Sequence, residues 1–178
     1  MQQFKTRWRR MMDRCYNPSF STYKHYGAIG VTVCEPWHTF SEFAQWASSQ
    51  DHEGMELDKD ILVAGCLTYS PATCRFVSGE VNRLLTARKA SRGDLPLGVS
   101  RSSVSDKYRA QINKDGAKIH LGSRDTPEQA HALWQKAKAD HIEEVALRQQ
   151  LPEIRDSLLD RATTLRLDLL LTKQTHTL

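Results

Sequence analysis

The chain has 178 residues, 39% of them hydrophobic and 26% charged, which suits one large globular domain or two small ones. Nine glycines and six prolines are too few for a collagen-like or low-complexity chain, and no apolar run nears the roughly 20 residues that cross a bilayer. The basic N-terminus has no apolar stretch behind it, so the expectation is a cytoplasmic protein without a secretory signal or a membrane partner.

The net charge of +4 hides a local bias. Residues 5–24 carry Lys5, Arg7, Arg9, Arg10, Arg14 and Lys24 against Asp13 alone. Residues 82–124 carry ten basic side chains against Asp94, Asp106 and Asp115, and the chain after them is acidic on balance. Basic clusters of this kind suit a polyanion such as nucleic acid; the plain alternative is an uneven solvated surface. Cys15, Cys34, Cys66 and Cys74 form no C-x-x-C pair. They read as reduced thiols, and a zinc site built from all four would lack the usual paired spacing.

In chain order, Phe4, Trp8, Met11, Met12 and Cys15 recur at helical spacing, with Arg7, Arg10 and Arg14 off the stripe. Asn17-Pro18 stops that helix. The stripe reads as core, and the arginines either hold phosphates or stay solvated. A turn at 26–30 leads into a short strand at Val31 and Val33, and Phe40, Phe43, Trp46 and Ala47 mark a second short helix. Residues 55–62 read as a strand, although Asp58, Lys59 and Asp60 put three charges at its centre. A loop over 63–71 precedes a strand at Cys74, Phe76 and Val77. Ser78 then caps a helix reaching about Arg88. Residues 89–96 are polar and read as a linker.

The next segment gives the clearest local signals. Leu97 and Val99 suggest a strand, and Asp115-Gly116 marks a two-residue hairpin. In that register Ile112 faces Ile119 and Ala110 faces Leu121, while Asn113 meets Lys118, Gln111 meets His120 and Arg109 meets Gly122. One face is then apolar and the other polar and basic. Thr126-Pro127-Glu128-Gln129 opens a helix to about Arg148 whose Ala130, Leu133, Trp134 and Ala137 would cover the sheet. Pro152 opens a last helix, with Leu151, Ile154, Leu158, Ala162, Leu165 and Leu169 on one face as a packing, self-association or partner surface.

A small antiparallel sheet fits a DNA major groove, where Arg suits guanine and Gln or Asn suits adenine. The outward residues would be Arg109, Gln111, Asn113, Lys118 and His120, with Arg88, Lys89, Arg92, Arg101 and Lys107 adding charge nearby. The alternative is an ordinary solvated sheet face. The series Gly98-Val-Ser-Arg101, Lys107-Tyr-Arg-Ala-Gln-Ile112, His120-Leu-Gly122 and Thr126-Pro-Glu-Gln-Ala130 resembles the APETALA/ethylene-response-factor-type DNA-binding domain over about residues 96–140. That resemblance implies a three-stranded sheet on one helix, with the sheet reading duplex DNA.

The earlier series Trp8, Met11-Met12, Arg14-Cys-Tyr-Asn-Pro18, Tyr26-Gly27, Cys34-Glu-Pro-Trp37, Leu57-Asp-Lys-Asp-Ile61, Tyr69-Ser-Pro71, Thr73-Cys-Arg75 and Glu80-Val-Asn82 resembles phage HNH-type (His-Me finger) homing endonucleases over about residues 8–88. The resemblance implies a ββα-metal module that nicks or cuts DNA with one divalent ion, Mg²⁺ or Mn²⁺, and not zinc. Asp58 and Asn82 would be its metal ligands. The family's general-base His is Lys59 here, which at an ordinary pKa of about 10.4 is protonated and accepts no proton. Lys59 would instead steady phosphate charge, or Asp60 would replace it as base; alternatively the triplet is a surface charge cluster in a lapsed nuclease. None of the seven histidines (His25, His38, His52, His120, His131, His141, His176) stands at a spacing that nominates it as a replacement.

The resulting expectation is an α+β chain: an HNH-like ββα-metal module over 1–88, a linker over 89–96, a three-stranded antiparallel sheet packed on a helix over 97–148, and a C-terminal helix over 149–178. Three functions are open: a phage-type DNA endonuclease, a DNA-binding protein that has lost cleavage, and a phage protein acting on a host protein.

Overall fold

A computed structural model describes residues 2–86, 94–176 and 178. The chain is α+β and divides into two compact units, Met1–Asn82 and Arg83–Leu178. The expected linker falls largely outside the described residues, and with it Arg88, Lys89 and Arg92.

In the first unit α1 spans Gln2–Tyr16. Its expected stripe turns inward: Phe4, Met11 and Cys15 are buried, with Trp8 and Met12 partly so. Pro18 cannot continue the helix, and the Asn17 side chain turns the backbone by accepting from Ser19 N–H at 3.1 Å. β1 (Thr32–Val33) and α2 (Phe40–Ser48) follow. Trp37, Phe43, Trp46 and Phe76 stack or meet edge-on at 4.6–6.0 Å between ring centres. Each such ring contributes about 2–3 kcal/mol by leaving water, so a few aromatics supply a core that the short strands could not.

β2 (Glu56–Asp58), β3 (Thr68–Tyr69), β4 (Arg75–Val77) and α3 (Gly79–Leu85) complete this part of the chain. β2 pairs antiparallel with β4, and α3 follows β4 directly. β3 lies within the stretch expected to be loop and pairs in parallel with β1. Thr32 N–H donates to Leu67 O at 2.8 Å and Cys34 N–H to Tyr69 O at 2.9 Å at the two ends of that pairing. The expected strand over 55–62 shortens to three residues. Ser78 Oγ accepts from Val81 N–H at 3.2 Å, as a cap should.

In the second unit β5 (Val99–Arg101), β6 (Tyr108–Lys114) and β7 (Ala117–Arg124) form one antiparallel sheet in that order. Asp115 and Gly116 have φ of 53° and 77°, the double left-handed pair a type I′ turn needs. The register holds from Lys114↔Ala117 to Gln111↔His120 and then shifts by one residue. Ala110 faces Gly122 rather than Leu121, and Arg109 faces Ser123 rather than Gly122. Leu121 is the extra residue of a β-bulge. It packs with Leu133 against the core of Val99, Ala110 and Ala130.

α4 (Pro127–Ala146) covers one face of the sheet, and Thr126 caps it by accepting from Gln129 N–H at 3.3 Å. α5 (Pro152–Leu170) packs on α4 and buries Ile154, Leu158, Ala162 and Leu165. The expected apolar stripe therefore meets a neighbour within the unit, while Leu151 stays exposed. Arg166 on α5 pairs with Asp140 at 3.0 Å and with Glu143. His131, 2% exposed, places Nδ1 2.9 Å from Leu97 O and accepts Thr175 N–H at Nε2. One imidazole thus ties the strand entry and the C-terminal residues to α4. No helix among the described residues is long and apolar enough to cross a membrane.

Candidate functional site

Asp58 ends β2 with its own side chain. Its Oδ1 accepts from Asp60 N–H at 2.7 Å and Ile61 N–H at 2.8 Å, so a strand of alternating charges becomes a tight turn. Ile61 is thereby driven fully into the interior. Burial raises the Asp58 carboxyl pKa above its ordinary value, opposed by the two N–H donors and by Lys59, and reinforced by the Asp60 charge. Oδ2 accepts no hydrogen bond among the described residues.

Lys59 is turned inward and only 7% exposed. Its Nζ donates to Asp60 Oδ1 at 2.7 Å and to Cys66 O at 2.5 Å. The ammonium pins the loop that follows β2, with its aliphatic stem in the interior. Those bonds engage the group at the position where the resembled family carries its base. Asp60 is half-exposed and shares in the same ion pair.

Asn82 projects from the first turns of α3, and its amide donates to the Glu56 carboxylate. Glu56 and Asp58 are two residues apart on β2, so they share a face. The β2–β4 register sets Arg75 opposite Asp58, and Arg75 donates to Pro71 O at 2.8 Å and Cys74 O at 2.6 Å. The sequence reading missed both Glu56 and Arg75. The i, i+2 spacing of Glu56 and Asp58 was the available signal for the first; only strand pairing reveals the second.

The oxygen donors Asp58, Glu56 and Asn82 fit a hard cation such as Mg²⁺ better than zinc. Among the described residues no group of three His, Cys, Asp or Glu ligand atoms includes Asp58. The cysteines are free thiols. Burial pushes Cys15 up to about 11 and Cys74 up to about 12, which keeps both thiols protonated and unreactive at neutral pH.

The basic residues of α1 divide. Arg7 lies over the Phe76 ring at 5.0 Å and donates to Met55 O at 2.6 Å and His52 O at 3.3 Å. Arg14 lies over Tyr26 at 5.3 Å. Both brace the unit's interior, whereas Arg10 is exposed.

In the second unit, strand alternation puts Ser100, Arg109, Gln111, Asn113, Lys118, His120 and Ser123 on the face opposite α4. No acidic side chain lies among them. The side chains of Arg109, Gln111, Asn113, Lys118 and His120 make no hydrogen bond or ion pair among the described residues. Their neighbours differ. Arg101 lies over Tyr108 at 5.3 Å and donates to its hydroxyl at 3.0 Å, and Lys107 pairs with Asp125 at 3.4 Å. Lys114, on the α4 side, pairs with Glu144 at 2.5 Å. The sheet thus brings together five of the expected contact residues and gives Arg101 and Lys107 local partners.

Comparison of the chain with known protein families, curated proteins and solved structures returns no match. The arrangement of side chains therefore carries the functional argument by itself.

Proposed function

We propose that the chain binds duplex DNA through the open face of β5–β7. One observation carries this: five polar or basic side chains stand together on a face without acids and spend no hydrogen bond on the described residues of their own unit. Arg109 and Lys118 would neutralise phosphate or read guanine, Gln111 and Asn113 would pair with adenine edges, and His120 would lie between them. The bulge at Leu121 re-aims the end of β7, so that Ser123 rather than Gly122 flanks Arg109.

The β2–β4–α3 element supports a second role on that DNA. Asp58 and Asn82 would hold Mg²⁺ or Mn²⁺, with Glu56 orienting the Asn82 amide. A bound divalent ion supplies charge stabilisation at a scissile phosphate. Lys59 would contribute no base, because its Nζ is committed as a donor to Asp60 and Cys66 O. This favours the reading of a DNA-binding protein whose nuclease element has lost cleavage over that of an active phage-type endonuclease.

The test is fluorescence anisotropy with a labelled duplex across a salt series, run beside a nicking assay on supercoiled DNA with Mg²⁺, Mn²⁺ or EDTA. Binding that weakens steeply with salt is expected, without nicked product. Salt-independent indifference to DNA would overturn the binding reading. Metal-dependent nicking lost in Asp58→Ala and Asn82→Ala would restore the endonuclease.

A further inference from the structure

Beside β6, where β5 is too short to cover its edge, the second unit has a cleft of about 400 Å³. Trp134, Gly98 and Ile112 form part of its wall. Gly98 has φ of 73°, and a Cβ there would lie 1.9 Å from the indole, so the backbone rests directly on Trp134. Gln111 and Asn113 contribute amides, Arg83, Lys118 and Lys138 contribute cations, and Leu178, which bears the terminal carboxylate, also lines the cleft.

Lys138 is the unusual member. It is 7% exposed on α4, and among the described residues its Nζ makes a single hydrogen bond, to Leu84 O at 2.6 Å. No carboxylate pairs with it among the described residues. A buried ammonium without a counter-ion is costly, and burial alone pulls this one down to about 8. One turn along α4, His141 is 5% exposed with neither ring nitrogen hydrogen-bonded among the described residues. Its pKa is lowered by burial, then by Lys138 and Lys114, against Asp115 and Glu144. Lys114 is paired with Glu144 and a neutral His141 adds no charge, so the cation left without a carboxylate partner among the described residues of this stretch is Lys138 itself.

We propose that the cleft is a phosphate-binding pocket, in which Lys138, with Arg83 and Lys118, receives a phosphoryl group carried by DNA or by a free nucleotide. An oxyanion would give Lys138 the counter-charge it lacks, and the Gln111 and Asn113 amides would donate to the remaining oxygens. The adjoining apolar wall has room for a sugar or base. The pocket shares Gln111, Asn113 and Lys118 with the proposed DNA-binding face, whereas Lys138 and Arg83 belong to the pocket alone.

The experiment follows the Lys138 Cε resonance by NMR, assigned by its loss in Lys138→Met, on the full chain. The probes are inorganic phosphate, a 5′-deoxymononucleotide, and a duplex with and without 5′-phosphates. A saturable shift at about millimolar phosphate or tighter is expected, with the Lys138 titration moving to higher pH. Arg83→Ala should weaken the response about tenfold, while Lys138→Met keeps cooperative unfolding and loses phosphate binding. A stronger response to the mononucleotide than to either duplex identifies a free nucleotide; the reverse identifies the DNA backbone. A Lys138 signal unmoved by every probe overturns the pocket, as does a Lys138→Met chain that still binds phosphate. Duplex binding with Lys138 unmoved removes the pocket alone. A phosphate response without duplex binding removes the DNA reading alone.

Discussion

The two units spend their charged side chains differently. In the first, Arg7, Asp58 and Lys59 all bond to their own backbone. In the second, Arg109 and Lys118 make no such bond among the described residues and lie across a regular sheet. The contrast shows that charge clusters alike in sequence can be scaffolding or surface. A unit with two- and three-residue strands has only short ladders, so its polar side chains help to hold its loops. A unit with seven- and eight-residue strands over a long helix supports itself and leaves one face free.

The largest expected effect tests how rigid the second unit is. Gly98→Ala puts a Cβ into the Trp134 ring at a positive φ and should cost more than about 3 kcal/mol, read by chemical unfolding. Full stability in that variant would mean that the Gly98 backbone is not seated on the indole. Next, reversing charge on the open face with Arg109→Glu plus Lys118→Glu should lower duplex affinity roughly hundredfold and flatten its salt dependence, with unfolding unchanged. The same reversal at Arg7 should damage stability first.

Asp58 sharpens the other side of the comparison. Asp58→Ala removes the carboxylate that accepts from the Asp60 and Ile61 N–H groups and should cost about 2 kcal/mol. Asp58→Asn keeps an accepting oxygen and should cost little. The sign of the pH effect follows from the raised carboxyl pKa. Between the unfolded value near 3.9 and the folded one, the native state binds more protons than the unfolded state. Stability from this group therefore falls as pH rises through that window, and Asp58→Asn should remove the fall. A slope identical in both proteins would show that Asp58 is not buried as described. The smallest effect belongs to Arg101→Ala, whose surface contact with the half-buried Tyr108 ring contributes about 0.5–1 kcal/mol, and which should change duplex affinity less than Arg109→Ala.

Local chemistry by itself determined much of this chain. The α1 stripe, the Thr126-Pro127 helix start and the Asp115-Gly116 turn were legible because spacing, capping and left-handed backbone are properties of neighbouring residues. The outward set from Arg109 to His120 followed from alternation beside that turn. Tertiary structure alone decided the rest. The parallel pairing of Thr32–Val33 with Thr68–Tyr69 joins residues 36 apart, which no local pattern encodes. The bulge at Leu121 lets both Leu121 and Gly122 lie against α4, a packing outcome that the alternating pattern argued against. The inward turn of Lys59, the place of Arg75 opposite Asp58 and the burial of Lys138 depend on which carbonyls and apolar walls the fold brings near. A charged residue's role is set by the partner that three dimensions supply, and the sequence names the charge without naming that partner.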